Sequence, residues 1–108
     1  MRKISLIAAT LLLAACAAPT LKEANQAREA GNPEEAAKIY SNLAKAGNAR
    51  AKLQLYNLYQ ETGVGLSSDR AARDTLELVA NEDGLAEAQY RLGRILREER
   101  AFEAAESQ

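Results

Sequence analysis

Three adjacent carboxylate pairs (Glu34/Glu35, Glu82/Asp83 and Glu98/Glu99), a lone Cys16, and Arg94 and Arg97 one helical turn apart are the side chains whose types and spacing could do chemistry. Paired carboxylates can split a glycosidic bond when a rigid concave frame aims both at it. Neighbouring positions on a helix do not face one another, and the three pairs fall along predicted helices or, for Glu82/Asp83, where one ends. They are therefore expected to be solvated faces. The 108 residues include no histidine and one cysteine. The usual neutral-pH base, the serine and cysteine triads and the common zinc-ligand sets cannot be assembled from such a chain. No catalytic residue, metal site or cofactor is expected. The arginines suit binding instead, since a guanidinium matches the fork of a carboxylate.

Cys16 closes a different pattern. Arg2 and Lys3 precede an apolar run from Ile4 to Ala15, about 12 residues long and within the range of a signal-peptide core. A bilayer-spanning helix needs about 20. The end of the run, Leu13-Ala14-Ala15-Cys16, resembles a bacterial lipobox. That resemblance implies a diacylated thiol, cleavage just before the cysteine and acylation of the new amino terminus. One acyl chain holds a protein only marginally, and two or more hold it stably. The resemblance thus divides the chain into a lipoprotein signal peptide (1–15), the lipidated cysteine with a short linker (16–19) and a domain (20–108). Ala17 rather than aspartate after the cysteine implies sorting to the outer membrane, facing the periplasm, where the enteric rule applies.

From Cys16 onward about 93 residues remain, room for one small domain. Twelve basic side chains oppose fifteen acidic ones, a net charge of about −3. No basic run marks a phosphate-binding face, so nucleic acid is not an expected partner. With a single cysteine no internal disulfide forms, and stability must come from packing.

Apolar spacing gives the elements. Ala51, Leu55, Leu58 and Tyr59 form one helical stripe, and Ala88, Leu92, Ile95 and Leu96 repeat its steps about 37 residues later. Ala36, Ile39, Tyr40 and Leu43 form a second type of stripe, repeated by Ala72, Leu76, Val79 and Ala80 about 36 residues on. The odd residue falls between the turns Ala46-Gly47-Asn48 and Glu82-Asp83-Gly84-Leu85. Thr20 and Glu23 have capping-box spacing and open a helix to Ala30. Gly31-Asn32-Pro33 closes it and opens the next, with Asn32 as cap. A third helix spans about Ala49 to Glu61, a fourth starts after Ser67-Ser68-Asp69, and a fifth begins near Leu85. Ala101-Phe102-Glu103-Ala104-Ala105 either continues the fifth or opens a sixth. In the latter case the apolar edge of Leu92, Ile95, Leu96 and Phe102 calls for a partner, a second copy or a further segment.

Helix pairs of about 36 residues with alanine at close contacts resemble tetratricopeptide repeats and the related Sel1-like repeats. Ala51-x-x-x-Leu55-x-x-x-Tyr59, Gly63-x-Gly65-Leu66-x-x-Asp69 and Gly84-x-x-x-Ala88-x-x-x-Leu92-Gly93 carry the likeness. Tyr56 departs from it, standing where a small residue is expected, while Gly93 keeps it at a close helix contact. The implied fold class is all-α, an antiparallel helix-pair solenoid of about two and a half repeats. The family lines its concave face with the first helix of each pair. Its groove positions carry over to Asn25 and Arg28, to Asn57 and Gln60, and to Arg94 and Arg97, with Tyr90 and Leu53 beside the row. Tyr40, Tyr56 and Tyr59 belong to the core by their spacing.

A lipobox, a short linker and then Ala24-Asn25 to Gly31 and Ala36-Ala37-x-x-Tyr40-x-x-Leu43-Ala44 resemble the start of the AlgK family, the scaffold lipoproteins of alginate-type exopolysaccharide export. Those proteins are several times longer. The resemblance implies a non-catalytic scaffold that engages other envelope proteins, an outer-membrane export porin and periplasmic assembly proteins among them. Two further readings fit the same surface: a pilotin-like chaperone of a channel subunit, and a regulator of a cell-wall enzyme.

Overall fold

The computed structural model describes residues 18–106. Cys16 and the whole of the 1–15 segment lie outside the described residues, as does the junction between them. The described chain is all-helical: α1 (Leu21–Glu29), α2 (Pro33–Lys45), α3 (Ala49–Thr62), α4 (Asp69–Leu78) and α5 (Ala86–Glu106), with one π-helical turn, Val79–Asp83, between the last two. Each helix packs on the next in sequence, and the π turn packs on α4 and α5.

Local chemistry sets the boundaries. The Thr20, Asn48 and Ser68 side chains accept from the backbone N–H groups of Glu23, Ala51 and Ala71 and so cap α1, α3 and α4. Asn32 precedes α2 without a side-chain capping bond, contrary to its expected role; Pro33 still starts the helix with a fixed backbone angle and no N–H to satisfy. The fifth helix runs unbroken to Glu106, so the segment 101–105 continues it and no sixth helix opens there.

The extra residue that separates the 37-residue spacing from the 36-residue one has a visible seat. Where α1 and α2 end, the closing bonds run from Asn32 N–H to the Ala27 carbonyl at 2.9 Å and from Asn48 N–H to the Leu43 carbonyl at 3.0 Å. At the end of α4 the equivalent bond, from Leu85 N–H to the Val79 carbonyl at 3.3 Å, spans one residue more. The π turn absorbs the insertion inside the helix, a known way of adding a residue without breaking the ladder.

Two apolar clusters form the core. Ala24, Ala36, Ala37, Ile39, Tyr40, Leu55 and Leu58 join α1, α2 and α3. Leu53, Tyr56, Ala72, Leu76, Val79, Ala80, Ala88 and Leu92 join α3, α4 and α5. Leu66, in the loop between α3 and α4, touches both. The two stripes assigned to α2 and α4 are buried except for half-buried Leu43, whereas the α5 stripe fades to Ile95, half-buried, and Leu96, exposed. Tyr56 is core, as its spacing implied. Gly93 is not a close contact: a Cβ there would meet only the Arg97 guanidinium at 3.8 Å. The place of close approach is Gly65, whose added Cβ would lie 2.8 Å from Leu55 Cδ1.

Candidate binding groove

Two adjoining cavities of about 450 Å³ each run along α1, α3 and the start of α5, and Asn25 and Gln54 line both. Leu21, Arg50, Leu53, Leu85, Ala86 and Glu87 complete the first. Arg28, Glu29 and Glu61 complete the second. The odd-numbered helices therefore share one polar face.

Arg28 ties this face together. Its Nη1 donates to Gln54 Oε1 at 2.7 Å, and its Nη2 donates to the Glu61 carboxylate, joining α1 to both halves of α3. Partial burial alone would lower the guanidinium pKa, but the hydrogen bond to Glu61 and the neighbouring Tyr40 phenol outweigh it and hold the pKa above its ordinary value. Arg28 is accordingly a fixed cation. Asn25 is fixed as well, because the buried Tyr40 hydroxyl donates to its Oδ1. That bond uses only the Asn25 oxygen and leaves its amide hydrogens free of Tyr40, on a residue that lines both cavities.

Arg50, Gln54, Asn57 and Glu61 follow one another at steps of four, three and four, which keeps them on one helix face. Asn57 is half-buried, and its Oδ1 is shielded from solvent with no hydrogen-bond partner among the described residues. Leaving such an acceptor unmatched costs about 1–3 kcal/mol.

Of the positions carried over from the repeat family, Asn25 and Arg28 line the cavities, whereas Asn57, on the same face of α3 as Gln54 and Glu61, lines neither. Gln60, Tyr90, Arg94 and Arg97 are exposed and line neither cavity. Arg94 lies 3.5 Å from Glu98 on its own helix. Leu53 is core, and it also forms part of the cavity wall. Gln54, Glu61 and Arg50 were missed. Their polar stripe was readable in the spacing, but positions matched through Leu55 and Leu92 selected Gln60 over Glu61. The bond that makes Gln54 and Glu61 part of the site comes from Arg28, 26 and 33 residues away.

The sequence matches no protein-family model, no curated protein and no solved structure. The groove's own chemistry thus carries the reading. It holds amides at Asn25 and Gln54, cations at Arg28 and Arg50, and carboxylates at Glu29, Glu61 and Glu87, with Arg28 already bonded to Gln54 and Glu61. Among the described residues no cluster of histidine, cysteine, aspartate and glutamate has metal-binding geometry. A strip that alternates amides with both signs of charge is suited to an extended polypeptide, which presents amide groups at every residue and charges at intervals.

Proposed function

We propose that this chain is a non-catalytic scaffold or adaptor lipoprotein of the bacterial envelope, held at the outer membrane through Cys16. Its helix pairs act as a short tetratricopeptide- or Sel1-like solenoid whose α1–α3–α5 face receives an extended segment of a partner protein. Exopolysaccharide export of the alginate type is the system in which we place it, with an outer-membrane porin and periplasmic assembly proteins as partners.

The observation that carries this reading is the pair of cavities sharing Asn25 and Gln54. The sequential packing of helices and the lipobox-like Leu13-Ala14-Ala15-Cys16 support the solenoid and the anchor respectively. A photoreactive residue in place of Gln54, activated in intact cells, tests it. Capture of an export porin with polysaccharide-assembly proteins is the expected result. Capture of a channel-subunit tail alone would replace the scaffold with a pilotin-like chaperone, and no capture would remove the groove from the proposal.

A further inference from the structure

We propose that the seam of α5 from Ile95 to Glu103 is a second docking surface, which takes an amphipathic helix of a partner protein whose apolar stripe is flanked by lysine or arginine.

Ala88, Leu92, Ile95, Glu99 and Phe102 follow one another at steps of four, three, four and three, the spacing of a helix-pairing seam. The near end of this seam is spent on the core, Ala88 being 0% and Leu92 8% exposed. The far end is open, with Phe102 65% exposed and Leu96 beside it 43% exposed. Between them Glu99 is drawn onto α4 by Arg73, at 2.6 and 3.1 Å. Ile95, Glu98, Glu99, Phe102 and Glu103 line a concavity of about 590 Å³. Ile95 and Phe102 stand two helical turns apart, about 10.5 Å, the interval at which a partner helix sets successive apolar anchors.

Charge selects the occupant. The acids Glu98 and Glu103 border the seam on either side of Glu99, and at 100° per residue Arg91 borders only its core end, one turn before Ile95, whereas Arg97 and Arg100 stand on the far side of α5. Glu99 is matched by Arg73 and Glu98 is 3.5 Å from Arg94, while Glu103 forms no ion pair among the described residues. A second copy of this chain would bring the same acidic border against it, and an anionic lipid surface would be repelled in the same way. A helix with basic flanks completes both the apolar and the charged halves of the site.

The test uses the full chain and two labelled 18-residue synthetic helices with one leucine stripe, one flanked by lysines and the other by glutamates, read by fluorescence anisotropy. The lysine helix should bind saturably and at least tenfold tighter than the glutamate helix. Phe102→Ala and Glu103→Lys should each weaken it about tenfold with an unchanged melting curve, and Gln54→Ala in the groove should leave it unchanged. Equal binding of the two helices, indifference to Phe102→Ala, or loss with Gln54→Ala would overturn the proposal. So would a sedimenting dimer of the chain that Phe102→Ala dissociates, since that would make a second copy the occupant.

Discussion

Replacing Gly65 by alanine should destabilise the fold far more than the same change at Gly31, because a packing clash adds to the backbone strain. Both glycines have positive φ, +106° at Gly65 and +80° at Gly31, and an L-residue there costs about 1–2 kcal/mol. At Gly31 a new Cβ meets nothing within 4 Å. At Gly65 it would lie 2.8 Å from Leu55 Cδ1 and 3.2 Å from the Ala37 Cβ, both on buried residues. The Ala37 Cβ cannot rotate aside, and Leu55 can turn only into the packed cluster; overpacking of this kind costs about 1–3 kcal/mol. Gly65→Ala should therefore lose about 3 kcal/mol and Gly31→Ala about 1 kcal/mol. The extra 2 kcal/mol or so corresponds to a melting temperature lower by a further ~8–16 °C for a domain of this size. Urea unfolding followed by helical circular dichroism measures both, provided that the slopes agree. The Leu55→Ala background supplies the decisive control, because removing Cδ1 should recover part of the Gly65→Ala loss. Equal losses at Gly31 and Gly65, or strict additivity with Leu55→Ala, would refute the contact.

Leu76 is fully buried between α3, α4 and α5, so Leu76→Ala should cost about 2–5 kcal/mol, measured by the same unfolding curves. Arg73 holds the Glu99 carboxyl below the usual carboxylate range through their hydrogen bond. A carboxyl whose folded pKa is depressed stabilises the fold above its unfolded value and loses that contribution as pH falls through the folded one. The stability gap between wild type and Arg73→Met should accordingly be open at neutral pH and close in acid, with Glu99 titrating higher in the variant by NMR. The Tyr59 hydroxyl, which donates to Asp69 Oδ1 at 2.9 Å, has a raised pKa for that reason. Its contribution is present below the ordinary tyrosine value and disappears as pH rises through the folded one, so Tyr59→Phe should match wild type only in strong alkali. Cys16→Ser should abolish acylation and release the chain from washed membranes, and a mutant retained there at wild-type levels would exclude the anchor.

The helices were legible because their signals are local. Thr20, Asn48 and Ser68 cap from side chains three residues away, and the α2 and α4 stripes need only a period of 3.6 to be seen. The π turn was legible only as an extra residue between two stripe spacings, since no residue type announces a change of hydrogen-bond ladder. Gly93 misled because glycine on a helix reads as close packing, yet the neighbour it was expected to admit is not there. The groove was half legible. Asn25 and Arg28 were found by position, but Gln54 and Glu61 become site residues only through a guanidinium arriving from another helix, which is tertiary information.

The two ends of α5 differ in the same way. Its start closes the polar cavity with Ala86 and Glu87 and the preceding Leu85, whereas its later turns carry the apolar, acid-bordered seam at Ile95 and Phe102. A groove for an extended chain and a seam for a helix make different demands, and on a single 21-residue helix they are separated by about two turns. In the proposed scaffold α5 sets the distance between the occupants of the two surfaces, and lengthening it by four residues between Arg91 and Ile95 should preserve each binding event while abolishing their simultaneous capture in one complex.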